Sequence, residues 1–222
     1  MQTGIPEVLY EDNHLIFVNK PHGWLVHGDK TQDATLGDWI KDYLKTKYNK
    51  PGDVFLGIVH RLDRPVGGVI VFARTTKSLV RMNKIFSSRE VTKEYIALTE
   101  RAIEPEEGVL KNWLFKNSKS NQVEVTDSQI NENYKYAETQ YCLTGMYKKY
   151  FLIKLQPLTG RSHQLRVQLT QKKCPIVGDL KYGAKNKCID GNIALKCERL
   201  SFIHPVTNVK LIIGLDKIGW NV

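Results

Sequence analysis

Apolar residues fall into short blocks along the chain, and their spacing changes from block to block. HLIFVNK, residues 14–20, is an apolar run stopped by Pro21 and Gly23, the pattern of a short strand. Beyond it Leu36, Trp39, Ile40, Tyr43, Leu44 and Tyr48 recur at helical spacing, which predicts an amphipathic helix over 35–48 with Thr35 as its N-cap. VIVFAR, residues 69–74, predicts a buried strand, and TTKSLVRMNKIFSS, residues 75–88, a helix with Leu79, Met82 and Phe86 inside. KEYIALTE, residues 93–100, predicts a strand with Tyr95 and Ala97 on one face and Glu94, Ile96 and Leu98 on the other. Over 109–158 the alternating runs VLKNWLFK, NQVEVT, TQYCLTG and YFLIKLQPL predict an antiparallel meander. RSHQLRVQLTQKK, residues 161–173, then reads as a helix, with LKCERLSFI and VKLIIGL as closing strands. Strands outnumber helices and mostly follow one another without helical crossovers, so the expected class is α+β, a central mixed, mainly antiparallel sheet with flanking helices. There is no repeat of fixed period and no Gly/Ser-rich or Pro-rich linker, so one continuous domain over 1–222 is expected.

Two charged clusters interrupt this apolar framework. The first opens GIVHRLDRPVGGVIVFAR, residues 57–74. In extended backbone Arg61 and Asp63 look one way and His60 and Leu62 the other. Pro65 fixes one backbone angle, while Gly67 and Gly68 open angles closed to other residues. The segment reads as a stiffened loop presenting Asp63 and Arg61 at a strand mouth, where binding and catalytic groups concentrate. The same charges would also make an ordinary surface ion pair on a turn. The second cluster is TGRSHQLRVQL. On a helix His163 and Arg166 share a face, and Arg161 stands in the first turn, where exposed amides suit an anion such as phosphate. A solvated basic face is the alternative reading.

Charge narrows the partners. The 222 residues hold 33 Lys plus Arg against 23 Asp plus Glu, a formal charge of +10, which favours a polyanion, nucleic acid above all. Cys142, Cys174, Cys188 and Cys197 show no C-x-x-C pair and no secreted-domain spacing, so reduced thiols, no zinc and a cytoplasmic location are expected. No signal peptide and no long apolar run is seen, so no membrane partner is expected either. HRLD lacks the downstream kinase motifs, and there is no phosphate-binding G-x-x-x-x-G-K loop, no H-E-x-x-H and no G-x-S-x-G elbow. What remains is a carboxylate acting as nucleophile or base beside Arg and Tyr on a basic protein, which is chemistry on a nucleotide.

GIVHRLDRPVGGVIVFAR, then KEYIAL, then TGRSHQLRVQL followed by PIVGDLKYG, resemble in order and spacing the RluA-type RNA pseudouridine synthases. DNHLIFVNKPHGWLVH resembles the family's first motif and LKCERLSFIHP its closing one, so the likeness covers about 14–205. The resemblance implies a pseudouridine synthase fold with a basic catalytic cleft, working without cofactor or metal. It implies Asp63 as the catalytic aspartate, Tyr95 as the ring that stacks on the target uracil, and Arg166 as the arginine paired with the aspartate. Arg61 matches the arginine that takes the place of the extruded base; Arg161 and His163 are read as further substrate-binding residues. The implied partner is a structured RNA, a tRNA or rRNA stem-loop, and the implied state a monomer. Two positions depart from the family: Val66, Gly67 and Gly68 stand where Thr-Ser-Gly is usual, and Leu195, Lys196 and Cys197 where Leu-His-Ala is usual. The chain enters the catalytic motifs without the S4-type RNA-binding domain that many relatives carry, so a stand-alone catalytic domain is expected. A catalytically silent RNA-binding module, a base-excising glycosidase and a phosphotransferase are the competing readings.

Overall fold

The computed structural model describes residues 4–28 and 33–222, and the chain divides into two compact units. The first takes the described parts of Met1–Thr92 together with Cys197–Ile218; the second takes Lys93–Lys196 with Gly219–Val222.

In the first unit β1 (Glu7–Glu11), β2 (Leu15–Lys20) and β4 (Gly67–Ala73) lie side by side as antiparallel neighbours. The two-residue β3 (Gly57–Ile58) pairs with the far end of β4. β10 (Leu195–Ile203), whose residues from Cys197 onward belong here, neighbours β4 and pairs antiparallel with β11 (Lys210–Gly214). Leu15 to Val18 and Val69 to Ala73 are wholly buried, so these strands are covered on both faces and read as unbroken apolar runs rather than alternations. α1 (Leu36–Lys47) starts where expected: Thr35 accepts the Asp38 N–H, and Asp38 returns a bond to the Thr35 N–H, a complete capping box. Its buried stripe is Leu36, Ile40 and Leu44, each worth about 1.5–3 kcal/mol of burial. α2 (Thr76–Ser87) is capped by Thr75 and turns Met82 fully inward, with Leu79 and Phe86 half-buried.

The second unit is an antiparallel sheet in the order β5-β9-β8-β6-β7, made of β5 (Thr92–Thr99), β6 (Glu107–Asn117), β7 (Gln122–Thr126), β8 (Lys135–Tyr147) and β9 (Tyr150–Pro157). The expected meander is corrected at one step: β8 pairs with β6, not with β7. β6 and β7 form a hairpin, and the chain then returns to the other edge of β6, leaving β7 at the end of the order. α3 (Gln164–Gln171) is the unit's helix and is almost wholly buried. Together the two units give an α+β arrangement, mainly antiparallel strands with three helices. Among the described residues no helix is long and apolar enough to cross a membrane.

Candidate active site

In the first unit the chain leaves β3 and runs without regular structure to β4, and each residue of this loop is set by a different neighbour. His60 stacks on Phe86 of α2 with ring centroids 4.8 Å apart, and its Nε2 accepts the Val71 N–H at 3.1 Å. The ring is thereby fixed as a structural strut. Leu62 is buried and anchors the loop, whereas Arg61 is exposed, its Nη1 lying 3.4 Å from His27 Nε2. Asp63 is half-buried, and its carbonyl accepts the Val66 N–H at 3.0 Å to close the turn that carries Pro65. The expected alternation therefore holds, with Leu62 inward between Arg61 and Asp63.

Lys20, the last residue of β2, is wholly buried beneath this turn. Its Nζ donates to the Arg64 carbonyl at 3.1 Å and to the Pro21 carbonyl at 3.2 Å. The same Arg64 carbonyl accepts the Gly23 N–H at 2.9 Å, while Arg64 Nε donates back to the Gly23 carbonyl at 3.1 Å. Arg64 Nη2 reaches Asp33 at 2.7 Å. Burial pushes the Lys20 amine down to about 7; Asp63 opposes that shift and Arg64 adds to it. Gly68, next to the turn, has φ +108°, and a Cβ there would overlap the carbonyl of Cys197 and lie 2.6 Å from its nitrogen. Only glycine fits. The loop thus has its own bracing where the usual Thr and Ser hydroxyls are replaced by Val66 and Gly67.

In the second unit Arg166 is buried on α3 and grips Asp179 side-on, Nε to Oδ2 at 2.7 Å and Nη2 to Oδ1 at 2.8 Å. The two side chains are 6% and 1% exposed, so this is a desolvated, fully forked pair. The guanidinium also lies over the Tyr182 ring, 4.9 Å from its centroid. Tyr182 Oη meets His163 Nδ1 at 2.5 Å and accepts the Val123 N–H at 3.0 Å, tying helix, turn and hairpin together.

The expected helical placement of Arg161 and His163 is corrected. His163 is the N-cap, in left-handed backbone with φ 52°, so α3 begins after it and Arg161 lies in the preceding loop. The Arg161 N–H is already taken by Gln164 Oε1 at 3.0 Å, and its Nε donates to the Tyr136 carbonyl at 2.9 Å. Nor is α3 a solvated face. Gln164 donates to Glu138 and Thr139, and Gln168 binds Thr139, Leu110 and Asn112, so its glutamines join the sheet through buried polar bonds. Tyr95 sits in the half-buried first part of β5, opposite Leu155 of β9.

Arg61 and Asp63 thus share one loop of the first unit, and Arg161, His163 and Arg166 flank the start of α3 in the second. Lys20, Asp179 and Tyr182 carry both constellations and were assigned no role from sequence. The usable signals were a lysine ending an apolar strand just before Pro21, and an aspartate after Gly178, whose φ is +87°. His60 and His204 serve separate structural contacts, the latter lying 3.0 Å from Asp12. Among the described residues no cluster of His, Cys, Asp or Glu is arranged to hold a metal ion. The four cysteines are free.

The fold is that of pseudouridylate synthase domains. Human RNA Pseudouridylate Synthase Domain Containing 4 superposes with a TM-score of 0.78 at 26% identity, over 95% of this chain and 88% of that one. Human RNA Pseudouridylate Synthase Domain Containing 1 gives 0.75 at 25% identity, over 98% and 86%. The chain belongs to the RNA pseudouridylate synthase family, whose model matches residues 14–171, a stretch that includes the Asp63 loop, β5 and α3. It is 33% identical over 219 residues to the ribosomal large subunit pseudouridine synthase C of Buchnera aphidicola subsp. Schizaphis graminum, covering 92% of this chain but 65% of that protein. It is 34% identical over 232 residues to the tRNA pseudouridine synthase C of Haemophilus influenzae, covering 95% and 93%.

Proposed function

We propose that this protein is an RNA pseudouridine synthase that isomerises a uridine in a tRNA or rRNA stem-loop, with the two units forming one catalytic domain. The observation that carries the reading is the Asp63 turn: a half-buried carboxylate on a loop cross-tied to Lys20 at the end of β2 and to Gly23 just beyond it, inside the stretch matched by the family. The target uridine is turned out of its stack, at a cost of a few kcal/mol, and Arg61, exposed beside Asp63, fills the gap. Asp63 attacks either the anomeric carbon of the ribose or the uracil ring. The bond from that sugar carbon to N1 breaks, the base rotates on the Tyr95 ring, and a new bond forms from the sugar carbon to C5. C5 gives up its proton and N1 ends with one, so atoms and electrons balance without oxidant or cofactor. Arg166, held rigid by Asp179, orients the carboxylate, while Arg161 and His163 bind RNA. A monomer in the cytoplasm is the state we infer for it.

Transcript RNA tritiated at C5 of uridine tests this. Wild-type protein releases tritium to water while the base stays on the chain, and Asp63→Asn releases none although it still binds RNA through phosphate contacts. Tritiated free uracil would instead reveal a glycosidase, and no release from any tRNA or rRNA would leave a silent binder.

A further inference from the structure

The second unit contains a cavity of about 330 Å³ between the β6–β7 hairpin, the start of β8 and the loop that leads into α3. That volume is at the lower end of small-ligand pockets, the scale of a single nucleotide. Three cations line it, Lys116, Lys135 and Arg161, and no carboxylate does. Lys135 Nζ and Arg161 Nε bond only to backbone carbonyls, of Glu132 and Tyr136, and none of the three is ion-paired among the described residues. Three like charges lining one pocket repel one another unless an anion joins them. The floor is of the opposite character: Leu114 and Val123 belong to the buried cluster that packs against α3. Asn133 and Ser162 add neutral hydrogen-bonding groups to the lining. Cations, an apolar floor and neutral donors and acceptors match the three parts of a nucleotide: phosphate, base face and base edge.

We propose that this pocket holds one unpaired nucleotide of the substrate RNA, distinct from the uridine that is isomerised, with its phosphate among Lys116, Lys135 and Arg161 and its base over Leu114 and Val123. The proposal rests on the synthase reading for its choice of RNA, and it makes the pocket a second point of grip within the second unit alone.

Binding of a fluorescein-labelled ten-nucleotide oligouridylate, followed by anisotropy over a salt series, tests it without requiring turnover. The double variant Lys116→Gln/Lys135→Gln changes only exposed side chains, so its fold is kept. Each lost phosphate contact lowers the slope of log K against log[salt] by about 0.7 on a single strand. Because one phosphate is shared by the three cations, the double variant is expected to bind roughly tenfold more weakly at low salt, with a slope reduced by about 0.7. Lys41→Gln/Lys45→Gln, on exposed positions of α1, removes the same charge elsewhere and should leave the slope as it is. If the two double variants give the same slope, the pocket holds no phosphate and the proposal is overturned. Loss restricted to an RNA hairpin duplex, with the oligouridylate unaffected, would overturn the unpaired nucleotide. A wild-type protein that shows the slope difference yet releases no tritium would sink the synthase reading and leave the pocket standing.

Discussion

Lys20 has no exposed surface, yet its amine holds the turn that carries Asp63. Its value in the folded protein, about 7, lies below the ordinary 10.5. Between those two values the unfolded chain carries a proton that the folded chain has shed, so stability rises with pH across that window; below about 7 both states are charged and the full burial cost is felt. Lys20→Met removes the titration and the two carbonyl bonds together. The melting temperature of the wild type, relative to Lys20→Met, should therefore climb between pH 7 and pH 9, as differential scanning calorimetry would show; a flat difference would mean that Lys20 keeps its proton when buried. With the Arg64 carbonyl released, the tritium-release rate of the variant should fall by roughly tenfold or more, about 1.4 kcal/mol of lost positioning.

At the scale of elements, the parts that sequence displayed most clearly are those whose stabilisation is local. Thr35, Asp38 and the stripe Leu36, Ile40 and Leu44 all lie within α1, and the helix starts and stops within a residue of expectation. β4 was equally legible because an unbroken apolar run next to glycines has few other uses. α3 was legible as a helix but not as a buried one, since Gln164 and Gln168 are buried beside Leu165, Val167 and Leu169 by partners, Thr139 and Asn112, that lie on distant strands. The glutamines recur at helical spacing, but polarity alone cannot distinguish a solvated face from a bonded one. The departure Cβ would make at Gly68 is a matter of tertiary contact too: Gly68→Ala should cost about 3 kcal/mol or more, because φ +108° is strained for any side chain and Cys197 blocks the methyl group. A denaturant midpoint within error of wild type would show that β4 and β10 can part without loss.

At the scale of the whole molecule, family membership was legible because the motifs are ordered along the chain, and order survives where contacts are invisible. Strand neighbours were less so: alternation in NQVEVT says which side chains share a face, not that β6 rather than β7 receives β8. Of the candidate site, sequence singled out Arg61, Asp63, Arg161 and Arg166 but not the buried supports around them, Lys20 and Asp179. One functional test spans the molecule. Arg61→Ala should slow tritium release from a folded stem-loop far more than from a short unstructured oligonucleotide, because only the former leaves a stacked gap to fill, worth a few kcal/mol. Equal losses on both RNAs would assign Arg61 to phosphate binding instead.

The contact between Gly68 and Cys197 also sets an order of events during synthesis. β4 leaves the ribosome early, but the strand that presses on Gly68 arrives only after Lys93–Lys196, the greater part of the second unit, has been made. Until then the Gly68 end of β4 lacks this neighbour, and open strand edges are where nascent chains aggregate. Closing so long a loop carries an entropic cost, so this contact is slow to form. The nascent chain therefore completes the frame of its Asp63 loop last, so a ribosome stalled before Cys197 displays a chain that has its aspartate but not yet its strand support.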